Sequence, residues 1–147
     1  MVLLALISHL PIIGWGKPVM INPLRYRNYR RDQMLVSIAG PASNLVIAVI
    51  AAAILRLGWV PNVGLLPTLV VMLVFTGLGL MLFNLLPIPP LDGAKVLSWL
   101  LPRDAAYQYE AVMARLGFIP LLLLVMTGMT RFLIGVPMEI MAGLLLG

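Results

Sequence analysis

From Leu57 to Leu91 the chain carries no charged side chain, and this run constrains the fold more than any other feature of the sequence. A bilayer crossing needs about 20 predominantly apolar residues, so the run is long enough to cross and to continue beyond. Only 10% of the 147 residues are charged and 62% are hydrophobic, with a mean hydropathy of +1.07. A soluble domain carries about 25% charged residues because it needs a polar coat, and no such coat can be built from this chain. The reading is an all-α integral membrane protein, a single transmembrane domain over residues 1–147 with about four membrane-spanning helices. The lipid bilayer is therefore its first partner. Cysteine is absent, which excludes disulfides and thiolate metal sites. The net charge is +5, but five of the ten basic residues lie between Lys17 and Arg31 beside apolar spans. A basic cluster in that position reports topology or contact with anionic lipid, so nucleic acid is not expected as a partner.

The apolar runs divide the chain. Met1 to Ile13 is too short to span about 30 Å at 1.5 Å per residue and reads as the end of a longer helix. It lacks the basic flank and small-residue cleavage site of a signal peptide. Between Gly14 and Gln33, the piece Lys17 to Pro23 is a short extended stretch, because Pro18 and Pro23 disfavour helix at the residues before them. A span is expected from Met34 to Leu55 and another from Leu65 to Leu86, with a break at Pro87-Ile88-Pro89-Pro90. A short helix from Asp92 to Leu101 and a polar stretch from Pro102 to Arg115 follow. The apolar region Leu116 to Gly147, interrupted by Arg131, Pro137 and Glu139, is read as one span plus a tilted or interfacial helix. There is no internal repeat. By the positive-inside rule the Lys17 to Arg31 loop is cytoplasmic, and two crossings later Asp92, Lys95 and Arg103 return to the same face.

Chemistry concentrates in Phe83-Asn84-Leu85-Leu86-Pro87-Ile88-Pro89-Pro90-Leu91-Asp92-Gly93. Prolines remove backbone donors and break the helix, leaving carbonyls without partners. At membrane depth such groups persist only when buried in protein or lining a wet cavity. A carboxylate at that point is a functional-site candidate. The residues alone leave a second reading open, in which Asp92 caps the following helix.

The run Asn84 to Gly93 resembles the Asn-x-x-Pro-x-Pro-Pro-Leu-Asp-Gly motif of the site-2 proteases, which are intramembrane zinc metalloproteases. Gly14-Trp15-Gly16-Lys17-Pro18-Val19, continuing to Asn22-Pro23, resembles a stretch of the short bacterial branch of that family. Ala39-Gly40-Pro41-Ala42-Ser43-Asn44 resembles its Ala-Gly-Pro-x-x-Asn helix. The resemblance implies hydrolysis of a peptide bond in a transmembrane protein substrate, in a bacterial cell membrane crossed several times. It implies zinc held by the two histidines of a His-Glu-x-x-His helix and by an aspartate, with the glutamate activating bound water. Asp92 would be that aspartate, and Asn44, Asn84, Pro87, Pro90 and Gly93 would bind substrate or support the site. A helix–helix hydrogen bond is an equal reading for Asn44. The Lys17 to Pro23 stretch would be an edge strand on which an unwound substrate pairs.

The sequence departs from the family at the catalytic helix. It contains no His-Glu-x-x-His, and its single histidine, His9, has no neighbouring glutamate and matches no ligand position. A catalytic zinc needs about three protein ligands, so this chain alone is not expected to bind zinc tightly, and no catalytic residue is assigned within it. Two explanations remain open: a protein whose His-Glu-x-x-His part lies upstream, or an inactive homologue that binds membrane segments as an adaptor. A transporter or channel subunit with an ion site at Asp92 would require a second broken helix in an inverted repeat, and the sequence has none.

Overall fold

In the computed structural model of the chain the described residues are 29–61 and 63–147. Helix α1 is Tyr29–Arg56, α2 is Leu65–Asn84, α3 is Asp92–Leu100, α4 is Arg103–Leu116, α5 is Ile119–Met126 and α6 is Val136–Leu146, with a π-helical turn, Arg131–Gly135, before α6. No strand occurs among the described residues. The expected Met1 to Ile13 segment, the Lys17 to Pro23 strand, most of the basic loop and His9 lie outside them.

Helix α1 begins earlier than the expected Met34. Asp32 sits in its first turn, where a carboxylate favours the positive end of the helix dipole, so the polar residues Tyr29 to Gln33 join the helix. Pro41 lies inside it and removes the donor that the Ser37 carbonyl would otherwise use. A glycine–proline hairpin, Leu57 to Gly64, turns the chain back into α2, with Gly58 and Gly64 at φ 68° and 102°. Both bounds of α2 fall near the expected ones, except that it ends at Asn84 rather than Leu86.

The two long helices meet through small residues. A Cβ on Gly77 would lie 2.9 Å from the Asn44 carbonyl oxygen and 3.1 Å from the Ala48 Cβ. Only glycine fits this crossing without pushing α1 away. Ala48, Ala51 and Ala52 of α1, Val74 and Leu78 of α2 and Ala142 of α6 form the buried cluster around it. Close backbone approach of this kind replaces the hydrophobic driving force that lipid cannot supply between helices. Outward, α1 and α2 expose Val46, Ile47, Ile50, Leu69, Met72 and Leu73, the apolar faces that lipid chains would cover. At the far end Arg56 donates through Nη2 to the Leu144 carbonyl at 3.1 Å, satisfying one of the last carbonyls of α6.

The C-terminal third is more broken than the polar stretch, span and tilted or interfacial helix expected from the sequence. The polar stretch after Pro102 is a regular helix, α4, followed after Gly117 (φ 57°) by α5 at a bend of 74°. Gly128 (φ 71°) then breaks the chain, and the π-helical turn and α6, with Pro137 in its first turn, complete it. Arg131, Pro137 and the glycines divide an apolar run that hydropathy alone joins. Two helices, Arg31–Arg56 and Leu65–Asn84, are long and apolar enough to cross a membrane, and a third crossing exists if the bent pair α4 and α5 counts as one.

The crossing at Gly77 yields a first prediction. Gly77→Val overpacks α1 against α2 and lowers stability by about 1–3 kcal/mol. Gly143→Ala, whose Cβ would meet nothing within 4 Å, leaves it unchanged or slightly higher. Thermal unfolding in detergent, followed by circular dichroism, compares the two.

Candidate metal-ligand site

The motif that interrupts the membrane run sits where α2 stops. Leu85 and Leu86 complete the last turn by donating to the carbonyls of Met81 and Phe83, each at 3.1 Å. The chain then folds tightly, with Ile88 N–H on the Leu86 carbonyl at 2.8 Å and Leu91 N–H on the Ile88 carbonyl at 3.0 Å. The Pro89–Pro90 peptide is cis. Leu86 and Leu91 are buried on either side of the break and pack with Leu121 and Leu124 of α5. The Pro87 carbonyl accepts a hydrogen bond from the Tyr109 hydroxyl of α4 at 2.9 Å. That contact spans 22 positions of sequence and is invisible to local pattern reading.

Asp92 is the first residue of α3. The capping position before it belongs to Leu91, with φ −72° and ψ 155°, and no side chain caps the helix. Asp92 is therefore not the cap that one reading of the sequence allowed. Its Oδ1 pairs with Lys95 Nζ at 3.2 Å, one turn on, and the two side chains are 34% and 45% exposed. Lys95 was not among the residues singled out from sequence, although the three-residue spacing of opposite charges is a readable helix signal. The other oxygen, Oδ2, faces α1: a Cβ on Gly40 would lie 3.6 Å from it. Gly93 fills the tightest position. A Cβ there would collide with the carbonyls of Leu85 and Leu86, so glycine is needed for α3 to fold back against the end of α2.

At 1.5 Å per residue, Gly40 lies about 14 Å along α1 from Arg31, so the Asp92 carboxylate sits beside the membrane-compatible part of α1. Of the other candidates, Asn44 is half-buried on α1 one turn beyond Gly40, with its backbone carbonyl against Gly77. Asn84 is the half-buried last residue of α2, and Pro87 and Pro90 are exposed on the break. The structure brings Asp92 and Gly93 against Gly40 and the end of α2. Asn44 reaches that neighbourhood through its position on α1.

Among the described residues no three His, Asp or Glu side chains converge. Asp92 is one carboxylate where a catalytic zinc takes about three protein ligands, so the described residues by themselves do not fit a complete zinc site. Beside the break, a cleft of about 830 Å3 opens between α3 and α4, bordered by Pro89, Pro90, Lys95, Trp99, Tyr109 and, from the start of α1, Gln33. Across it Ser98 donates a hydrogen bond to Glu110, joining α3 to α4.

Comparison with known proteins agrees with the motif. Residues 58–124 match the model of peptidase family M50. Two relatives carry the name "Putative zinc metalloprotease". YwhC of Bacillus subtilis (strain 168) is 34% identical over 131 residues, covering 82% of this chain and 58% of the relative. Rip2 of Mycolicibacterium smegmatis (strain ATCC 700084 / mc(2)155) is 34% identical over 96 residues, covering 56% of this chain and 37% of the relative. The chain thus spans less than two thirds of the length of either relative. No solved structure matches it.

Two substitutions separate packing from hydrogen bonding at the break. Tyr109→Phe removes the donor to Pro87 and lowers stability by about 0.5–1.5 kcal/mol. Gly93→Ala forces the backbone of Leu85 and Leu86 to move and is expected to be the more damaging of the two. Chemical denaturation of both variants in detergent micelles ranks them.

Proposed function

The chain belongs to peptidase family M50, the site-2 protease family, and we propose that it is the Asp-Gly-bearing part of an intramembrane zinc metalloprotease that cleaves transmembrane protein substrates. The observation that carries the proposal is the Asp92 carboxylate. It opens a helix that starts just after three prolines break the preceding apolar helix, with one oxygen turned to the bare backbone of Gly40. Lys95 pairs with Asp92 Oδ1, which leaves Oδ2 to meet a second cation. In this reading Asp92 supplies the carboxylate ligand, and Asn44, Asn84, Pro87, Pro90 and Gly93 hold the break and the substrate backbone.

Zinc, when bound, would supply a Lewis acid and an activated water. No hydrolytic step is assigned to the described residues, which hold one of the ligands that chemistry needs. The larger size of the relatives is compatible with a His-Glu-x-x-His helix contributed by further sequence. The alternative is a catalytically inactive homologue that acts as a membrane-segment adaptor on the same fold. The coding DNA upstream of the Met1 codon decides between them. An in-frame His-Glu-x-x-His supports the protease, and a stop codon with no such sequence supports the adaptor.

In an enzyme carrying that helix, Asp92→Asn keeps the shape and removes the anionic ligand. It is expected to abolish cleavage of a model transmembrane substrate while membrane insertion and expression stay near normal. Near-normal cleavage would reduce the motif to a structural turn. We further propose that the protein is a multi-pass component of a bacterial cell membrane, with the Lys17 to Arg31 loop and the region from Asp92 to Arg103 both on the cytoplasmic face. Single cysteines at Asn28 and Arg103 should then react alike with an impermeant thiol reagent applied from either side. Opposite reactivity overturns the topology.

A further inference from the structure

We propose that the cleft between α3 and α4 is a binding site for an anionic phospholipid, with Arg103 and Lys95 holding the headgroup. Five observations converge on that occupant. The cleft opens beside Gln33, two residues into the first membrane-compatible span, Arg31–Arg56, so its mouth lies at the level of the membrane surface. Its volume of about 830 Å3 falls within the roughly 300–1,000 Å3 of small-ligand sites. Trp99 and Tyr107 on its wall are 40% and 75% exposed, and such rings settle at headgroup depth. Its charges favour an anion: the cations Arg103 and Lys95 against one carboxylate, Glu110, which Ser98 already engages. The walls below are apolar, from Leu91, Ala94, Ala106 and Met113, and suit an acyl chain.

Lys95 links this cleft to the carboxylate beside Gly40, because its ammonium also pairs with Asp92. A headgroup phosphate and Asp92 therefore compete for one cation, and occupancy of the cleft loosens the pair. The inference does not depend on proteolysis, and its test contains no cleavage step.

The test uses the full chain with Trp15→Phe and Trp59→Phe, leaving Trp99 as the sole tryptophan, in phosphatidylcholine bilayers. Brominated phosphatidylglycerol or brominated phosphatidylcholine is added at equal mole fraction and quenching of Trp99 is read. Phosphatidylglycerol is expected to quench at several-fold lower mole fraction. Arg103→Gln and Lys95→Gln should each reduce that preference by about five-fold, the effect of one basic group near an anionic headgroup. Asp92→Asn releases Lys95 and should raise it. Equal quenching by the two lipids means annular lipid only and overturns the proposal, as does a preference that survives loss of both cations. Protection of Trp99 from both lipids shows instead that protein, a second copy or a peptide segment, covers the cleft, and overturns it equally. An unchanged preference in Asp92→Asn removes Lys95 from the headgroup site.

Discussion

A backbone broken at the end of an apolar helix must find its hydrogen bonds within the protein wherever hydrocarbon covers it, since hydrocarbon offers none. Three prolines between Pro87 and Pro90 impose this condition at the end of α2, and much of the surrounding architecture answers it. The donors that survive, on Ile88 and Leu91, close onto Leu86 and Ile88. The Pro87 carbonyl is met from outside by Tyr109, which requires α4 to lie against the break. Leu86 and Leu91 are buried only because α5 brings Leu121 and Leu124 over them. The C-terminal helices thus seal a defect in the membrane-spanning part, and their bend of 74° is what lets one arm reach Pro87 while the other covers the leucines.

The break also fixes the start of α3. Gly93 abuts the carbonyls of Leu85 and Leu86, so α3 cannot begin later or swing away without losing the contact. Asp92, one residue earlier, is consequently held at the corner where α2, α3 and α1 meet. The position of this carboxylate is a product of backbone packing, and its own hydrogen bonds contribute little to it. Its ion pair with Lys95 is half-exposed, a class worth about 0–1 kcal/mol in water.

What could be read from sequence followed the range of the interaction. The charge-free run, the small-residue helix around Gly40 and Asn44 and the proline break are local in sequence, and their elements appear close to the expected bounds. The Asp92 and Gly93 pair was legible because its motif is contiguous. Tyr109 was not, because nothing in α4 marks one tyrosine as the partner of a carbonyl 22 residues away. The early start of α1 and the helical state of Arg103–Leu116 were missed for another reason. Hydropathy locates the apolar part of a helix, and both segments are polar helix that hydropathy scores as loop. After Leu116 the interruption at Arg131 was readable, whereas apolar composition hid the break at Gly128.

Small residues on α1 and α2 serve two distinct purposes within a few turns. At Gly77 the absence of a side chain lets α2 come within contact of the Asn44 carbonyl and Ala48, and the result is a filled, buried crossing. At Gly40 the absence of a side chain leaves space beside Asp92 Oδ2, and the neighbourhood stays partly open, with Gly40 exposed and Asp92 only half-buried. An alanine at the first position forces atoms apart. At the second it would meet the carboxylate at an ordinary 3.6 Å and merely cover it. Packing therefore requires glycine at 77 but only tolerates it at 40. Lys95 occupies one oxygen of Asp92 while the bare backbone of Gly40 keeps the other reachable. In the reading proposed above, that second oxygen is the one a metal cation would take.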